Sequence, residues 1–260
     1  MTDPTPAPGS VPLGTTTLLV LRYTPTADEA PRFVAYEVPW GQDTSVLDAL
    51  CWIKDTLDPT LTFRWSCRMG VCGSCGIVVD GVPRLGCEQF VRDLGPGPVR
   101  IEPLAHLDVE RDLVVDLEPF MQSLSAVRPW LVPDPEDPVT EGSHRQTPVQ
   151  MLAFHDYTLC IDCLLCYSAC PQVGLAHDFL GPAAITAAVR YDRDSRDHGQ
   201  QDRLPVLDRQ DGLWDCTFVG ACSTVCPKGV DPAAAIQQAK AAAARSWAVE
   251  FLLPRRGERS

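Results

Sequence analysis

Read along the chain, apolar and polar positions change period twice. Thr16 to Tyr23 (TTLLVLRY) and Arg32 to Val38 (RFVAYEV) are rich in β-branched and aromatic residues, and both predict strands. Val46, Leu47, Leu50, Ile53 and Leu57 then recur at helical spacing behind Ser45 and Asp48, which form a capping box, and Pro59 stops the helix. Ile77 to Val79, Arg84 to Gly86 and Val99 to Ile101 predict further short strands. Beyond Pro148 no strand-like alternation stands out. Gly181-Pro182 opens an Ala-rich helical segment reaching Tyr191. Asp231-Pro232 starts another, with Asp as N-cap and Pro at the first helical position, and Pro254 ends it. Between the halves, Pro129 to Pro148 holds Pro133, Pro135 and Pro138 and reads as a connector. The pattern predicts an α+β chain, a β-rich half followed by an all-helical half. The boundaries expected are a flexible tail over 1–13, a first domain over 14–112, a connector over 113–149, a helical domain over 150–253 and a tail over 254–260.

Composition changes this picture in one respect. Hydrophobic residues at 45% and charged residues at 22% of 260 are the balance of an ordinary globular protein able to bury a core. A net charge of −12 argues against a nucleic-acid partner, since nothing along the chain would neutralise a run of phosphates. The departure is the 12 cysteines, which suit disulfides, zinc, catalytic thiols or iron–sulfur clusters. Met1 to Gly14 is rich in Pro and Thr, carries Asp3 where a signal peptide would be positive, and has no apolar core. Arg22, Lys240 and Arg245 interrupt the longest apolar stretches, short of the roughly 20 residues of a membrane span. The chain is therefore expected in a reducing cytoplasm, where structural disulfides are rare and clustered cysteines point to metal.

The cysteines fall into two blocks. Cys67-x4-Cys72-x2-Cys75, with Cys87 standing alone after it, is the plant-type ferredoxin spacing for a [2Fe–2S] cluster. Such a cluster needs three thiolates from one tight loop and a fourth from a neighbouring strand end. The loop's backbone N–H groups must turn inward to the sulfurs, which demands φ > 0 at some positions, and Gly70, Gly73 and Gly76 are expected to supply it. The competing reading, a zinc site with four cysteines, normally shows two separate Cys-x2–4-Cys knuckles.

The second block contains two registered runs. Cys160-x2-Cys163-x2-Cys166-x3-Cys170-Pro171 is the bacterial ferredoxin run, whose fourth cysteine serves the other cluster of a pair. Cys216-x2-Val219-x2-Cys222-x3-Cys226-Pro227 repeats it, with Val219 where the first run has Cys163. Counting with the crossing ligands assigns Cys160, Cys163, Cys166 and Cys226 to a [4Fe–4S] cluster. Cys170, Cys216 and Cys222 remain, and three thiolates facing a valine corner predict [3Fe–4S]. Cys51, inside the first helix, reads as a small buried hydrophobe.

No dinucleotide or phosphate-binding glycine loop is present, and no nucleophile–base pair stands out. The histidines (His106, His144, His155, His177, His198) are scattered without ligand spacing, so no catalytic residue is expected on this chain. Redox centres without a site for organic chemistry describe a wire that docks a donor and an acceptor.

Ser66 to Gly76 (SCRMGVCGSCG), Cys160 to Pro171 (CIDCLLCYSACP), Asp178 to Gly199 and Cys216 to Lys240 (CTFVGACSTVCPKGVDPAAAIQQAK) resemble the iron–sulfur subunits of succinate dehydrogenases and fumarate reductases. The likeness runs from about Thr16 to Leu253. It implies an N-terminal β-grasp plant-type [2Fe–2S] ferredoxin domain followed by an all-helical bacterial-ferredoxin-like domain. It also implies a flavoprotein partner with covalent FAD and the dicarboxylate site, and membrane anchor subunits holding the chain on the cytoplasmic face of the membrane as a hetero-oligomer. Some relatives place Asp where Cys75 stands. Ubiquinone-reducing relatives typically carry His at the position of Thr217 and Trp shortly after the first Cys-Pro, and neither is found here. The text instead resembles menaquinol-oxidising fumarate reductases with two small anchors, in which residues matching Thr217, Phe218, Gln237 and Lys240 line the menaquinone site. Gln237 and Lys240 are three apart on one predicted helix and share a face, a spacing that a surface Lys and a core residue would show equally well. Arg255, Arg256 and Arg259 suit either a solvated tail or anionic lipid.

Two directions of electron flow fit these motifs: menaquinol to fumarate, which is the leading reading, and succinate to quinone. From other classes come a free multi-cluster ferredoxin and a structural zinc protein.

Overall fold

Strand β1 (Gly14–Arg22) pairs antiparallel with β2 (Arg32–Trp40) along its whole length, from Gly14 opposite Trp40 to Arg22 opposite Arg32. Leu13 extends the pairing, its N–H donating to the Trp40 carbonyl. Alternation places Leu18 and Val20 of β1 and Tyr36 and Val38 of β2 in the core. Helix α1 (Val46–Trp52) begins as its sequence predicts. Ser45 Oγ accepts the Asp48 N–H, and the Asp48 carboxylate accepts the Ser45 N–H. Its continuation, Ile53–Leu57, widens into a π-turn, which leaves Leu57 exposed although its spacing predicted the buried face. Strands β3 (Gly76–Val79), β4 (Val82–Leu85) and β5 (Val99–Glu102) complete a five-stranded sheet of order β2-β1-β5-β3-β4. The β1–β5 pair is parallel and the others are antiparallel. Val46, Ala49 and Leu50 of α1 pack with Leu18, Val20 and Ile101 of the sheet. A small pair, β6 (Val109–Arg111) with β7 (Val114–Val115), follows; strands this short carry no readable alternation.

The structure, a computed structural model, describes residues 13–134, 136, 144–176 and 178–252. The tail over 1–12, Pro135, Pro138, His177, Pro254 and the arginines at 255, 256 and 259 lie outside the described residues. The remaining helices are α2 (Glu118–Ala126), α3 (Pro148–His155), α4 (Leu165–Ser168), α5 (Pro171–Leu175), α6 (Pro182–Asp192), α7 (Gln200–Leu207), α8 (Ala221–Thr224) and α9 (Pro232–Leu252). Helix α2 lies in the stretch read from sequence as connector, and it packs on α6.

Two compact units result, and they do not follow the chain linearly. One comprises Met1–Leu117 together with Ile161–Ala169; the other comprises Glu118–Cys160 and Cys170–Ser260. The excursion Ile161–Ala169, carrying Cys163, Cys166 and α4, is bound into the first unit in part by the Ala105 N–H, which donates to Ser168 Oγ at 2.9 Å.

Each unit has its own buried cation. In the first, Arg22 donates from Nε to Asp112 at 3.0 Å, from Nη1 to Tyr36 Oη at 2.7 Å and to Asp58, and from Nη2 to Thr60 at 2.9 Å. This clamps the end of β1 to Asp58–Thr60, just upstream of the first cysteine loop. In the second, Arg203 is 0% exposed and donates to Asp192 at 2.9 Å, to both oxygens of Asp197 at 2.6 and 2.9 Å, and to the Trp130 carbonyl at 2.8 Å. Its pKa is raised, because the two carboxylates outweigh the desolvation that alone would lower it. Ala184, Ile185 and Ala188 of α6 meet Ile236 and Ala243 of α9 in the core of this unit. Among the described residues, no helix is long and apolar enough to cross a membrane.

Candidate iron–sulfur sites

The first cysteine block closes into a loop whose backbone is turned onto sulfur. The N–H groups of Met69, Val71 and Cys72 point at Cys67 Sγ at 3.4, 3.3 and 3.3 Å, and that of Gly70 at Cys87 Sγ at 3.3 Å. The Cys67 N–H points at Cys72 Sγ at 3.4 Å. Left-handed residues make this curvature possible: Arg68 at φ 59°, Gly70 at 67° and Gly73 at 75°. Gly76 is a correction, for it is not among the left-handed residues, and Arg68 supplies the third such position instead. Cys75 Sγ and Cys87 Sγ lie 3.3 Å apart and are buried.

The thiols of this loop are electrostatically unequal. The Ser74 hydroxyl, followed by backbone N–H groups, lowers the Cys72 thiol to about 6, while burial pushes Cys75 up to about 12. A buried Cys75 thiolate therefore needs a cation against it, which iron would supply. Inward N–H groups and paired buried thiols fit a cluster of thiolate-bound iron. Among the described residues, no three His, Cys, Asp or Glu side chains converge as one metal ion would need. A two-iron cluster divides its four thiolates between two irons, two to each, so no three need meet at one point.

The two runs of the second block share one backbone. Asp162 and Leu164 are left-handed at φ 51° and 63°, and so are their register partners Phe218 and Gly220, at 60° and 80°. Short helices α4 and α8 start immediately after Leu164 and Gly220. In each, the first carbonyl is met in the same way: Leu164 O accepts from Tyr167 and Ser168, and Gly220 O accepts from Ser223 and Thr224. Val219 thus occupies the place in its turn that Cys163 occupies in the other.

Within the second unit, Cys170, Cys216 and Cys222 line one cavity together with Thr217, Phe218 and Val219. Burial pushes the Cys222 thiol up to about 11, and it raises Cys170 as well, with Cys216 adding to both. Phe218 and Val219 are 60% and 62% exposed, so the rim is apolar and open. Lys240 Nζ donates to the Cys216 carbonyl at 2.7 Å and stands 5.6 Å from the centre of the Trp214 ring. Gln237 Nε2 is buried without a hydrogen-bond partner. Thr217 Oγ1 accepts from Gln172 Nε2 at 3.2 Å. Thus Thr217, Phe218 and Lys240 gather at the three-thiol corner, and Gln237 precedes Lys240 by one turn of α9. Ser74, Gln172 and Trp214 were not singled out from sequence. Their signal was adjacency alone, each standing within two residues of a cysteine.

Of the thiols assigned to the remaining site, Cys163 and Cys166 belong to the first unit, and Cys160 and Cys226 to the second. Cys51 is half-buried, with Arg68 Nη2 at 3.8 Å from its sulfur.

Known proteins match this arrangement. A 2Fe-2S iron-sulfur cluster binding domain matches residues 17–122, and a 4Fe-4S dicluster domain matches residues 156–230. The fumarate reductase iron-sulfur subunit of Mycobacterium tuberculosis is 55% identical over 235 residues, covering 90% of this chain and 95% of that protein. The chain belongs to the fumarate reductase iron–sulfur subunit family. Another member, from Escherichia coli, is 52% identical over 91% of this chain and 96% of its own length. The related succinate dehydrogenase iron-sulfur subunit of Paracoccus denitrificans is 39% identical over 85% of each chain. Among solved structures, the Mycobacterium smegmatis Sdh1 complex in the apo form contains a similar chain. It matches with a TM-score of 0.79 and 25% identity, over 90% of this chain and 97% of that one. Members of this family are the iron–sulfur parts of oxidoreductases, and an electron-transfer role for this chain is consistent with its cysteine sites.

Proposed function

We propose that this chain relays electrons from menaquinol to the FAD of a partner flavoprotein in a membrane-bound quinol:fumarate reductase. The order is three-thiol corner, second-block four-thiol site, first-block loop. Cys67, Cys72, Cys75 and Cys87 hold [2Fe–2S], Cys160, Cys163, Cys166 and Cys226 hold [4Fe–4S], and Cys170, Cys216 and Cys222 hold [3Fe–4S]. When bound, the clusters take up and release single electrons. The observation that carries the reading is the shared backbone of the two runs, with Val219 in the place of Cys163. A corner without a thiolate is what a three-iron cluster requires.

Lys240 and Gln237 are the donors this chain offers to a quinone oxygen beside Thr217 and Phe218. The unpartnered Gln237 amide and the open apolar rim support that placement, since a buried donor without an acceptor is costly unless a ligand supplies one. Two membrane anchors complete a heterotetramer on the cytoplasmic face of the membrane. The order of the mixed sheet supports a β-grasp first domain. The higher identity to fumarate reductase subunits, 55% and 52% against 39% for a succinate dehydrogenase subunit, favours the fumarate direction.

The test is a redox titration of the anaerobically purified complex, followed by EPR with iron counted per chain. Three centres are expected, one of them paramagnetic when oxidised. Two centres, or a second four-iron cubane, overturn the assignment. Lys240→Ala should slow menaquinol oxidation at least tenfold, the loss of a half-buried charged donor, with the iron count unchanged.

A further inference from the structure

Two glycines of the first loop touch the excursion that carries Cys163. A Cβ on Gly73 would stand 2.8 Å from the Ile161 carbonyl oxygen and 2.9 Å from Cys163 Cβ. A Cβ on Gly76 would stand 2.9 Å from the Cys163 carbonyl oxygen and 3.4 Å from Leu104 and Leu165. Contacts below 3.0 Å force something to shift, and here the neighbours are backbone and a Cβ rather than the far end of a flexible side chain. The far end of the excursion is held by packing, Leu165 and Tyr167 being 1% and 3% exposed. The cavity beside the contact, about 150 Å3, is lined by Cys72, Ser74 and Cys163. Gly73 and Gly76 bracket Cys75 and so belong to the loop of one thiolate set, while the atoms nearest them include those of Cys163, assigned to another.

We propose that Gly73 and Gly76 are positioning residues for electron transfer. Their missing side chains let the backbone around Cys75 meet Cys163 directly, and this contact sets the electronic coupling between the two sites. The proposal rests on the ligand assignment above. In the fumarate direction one electron leaves the Cys163 side, which is oxidised, and enters the Cys72–Cys75 side, which is reduced; no proton moves and no bond forms or breaks. Tunnelling weakens exponentially with the gap, and the magnetic coupling of two paramagnetic centres falls with the cube of their separation. One methyl wedge should therefore be visible in both.

The experiment uses the complete complex, purified anaerobically, with Gly73→Ala and Gly76→Ala beside the unmodified protein. Gly76→Ala is the cleaner variant, since Gly73→Ala also forces an L side chain into a left-handed conformation. Iron per chain and the EPR line positions of each centre are expected to stay unchanged in Gly76→Ala. Pulsed EPR should show a weakened coupling between the two centres, and quinol-driven reduction of the first should slow. Full iron with unchanged coupling in Gly76→Ala overturns the proposal. Loss of iron from the first site in both variants overturns it too, because the glycines would then serve only the folding of the loop. The unmodified complex reports separately on the ligand assignment, which fails there if the second-block four-iron centre is missing.

Discussion

The first cysteine loop and the three-thiol corner hold sulfur by different means. In the loop, three cysteines lie on one tight stretch, and the backbone itself supplies N–H groups at 3.3 to 3.4 Å from Cys67 and Cys87. At the corner, Cys170 precedes α5, Cys216 follows Trp214 and Cys222 sits within α8. Their meeting depends on helices packed around α6 and α9. A short loop with left-handed residues needs little beyond itself to orient its ligands. A site gathered from separate helices is only as firm as their packing. The rims differ less: Met69 and Val71 stand exposed at the first, Phe218 and Val219 at the second.

This contrast can be broken most forcefully at Arg203. Arg203→Met leaves Asp192 and Asp197 buried without their cation and frees the Trp130 carbonyl, at a cost of about 3–5 kcal/mol. Thermal unfolding should show the second unit losing stability and the three-thiol corner losing iron, with the first loop's EPR signal retained. Loss of both signals together would mean that the two sites stand or fall as one.

A smaller effect is expected at Asp58. Its carboxyl is held well below the usual range, first by the Thr60 hydroxyl and then by Tyr36 and Arg22. A depressed carboxyl contributes stability that is fully present above the ordinary carboxylate pKa of about 4 and is lost as pH falls through its lower folded value. Asp58→Asn should cost about 1–3 kcal/mol at neutral pH, the scale of an unsatisfied buried partner. It should also flatten the acid limb of a stability–pH curve followed by denaturant unfolding. An unchanged limb would remove Asp58 from the clamp on the first loop.

Val219→Cys should disturb the fold least and sharpen the comparison most. The turn already has the backbone of its cysteine-bearing counterpart, so the variant should gain a fourth iron and lose the oxidised-state EPR signal without a shift in Tm. An unchanged iron count would show that the corner is closed by something other than the missing thiolate.

Much of this protein was legible along the chain, because its determinants are local. The capping box of Ser45 and Asp48, the start of α9 at Pro232 and the long β1–β2 hairpin follow from side chains within a few residues of one another. The thiol spacings are legible for the same reason, since each run lies on one short stretch of chain. Leu57 misled because a π-turn breaks the helical period that its spacing assumes. Gly76 misled because a glycine has two uses, left-handed backbone and bare surface, and sequence does not say which one applies.

By itself, then, the sequence determined the cysteine spacings, the valine in the second run and the β-rich and helical halves, all set by spacing and periodicity over short distances. Only the tertiary structure decided that Ile161–Ala169 packs into the first unit, that Gly73 and Gly76 lie against Cys163, and that Lys240 reaches the Cys216 carbonyl. The reason is physical. Such contacts join residues far apart in the chain, and they form only where burial of apolar surface offsets the entropy of closing the loops between them.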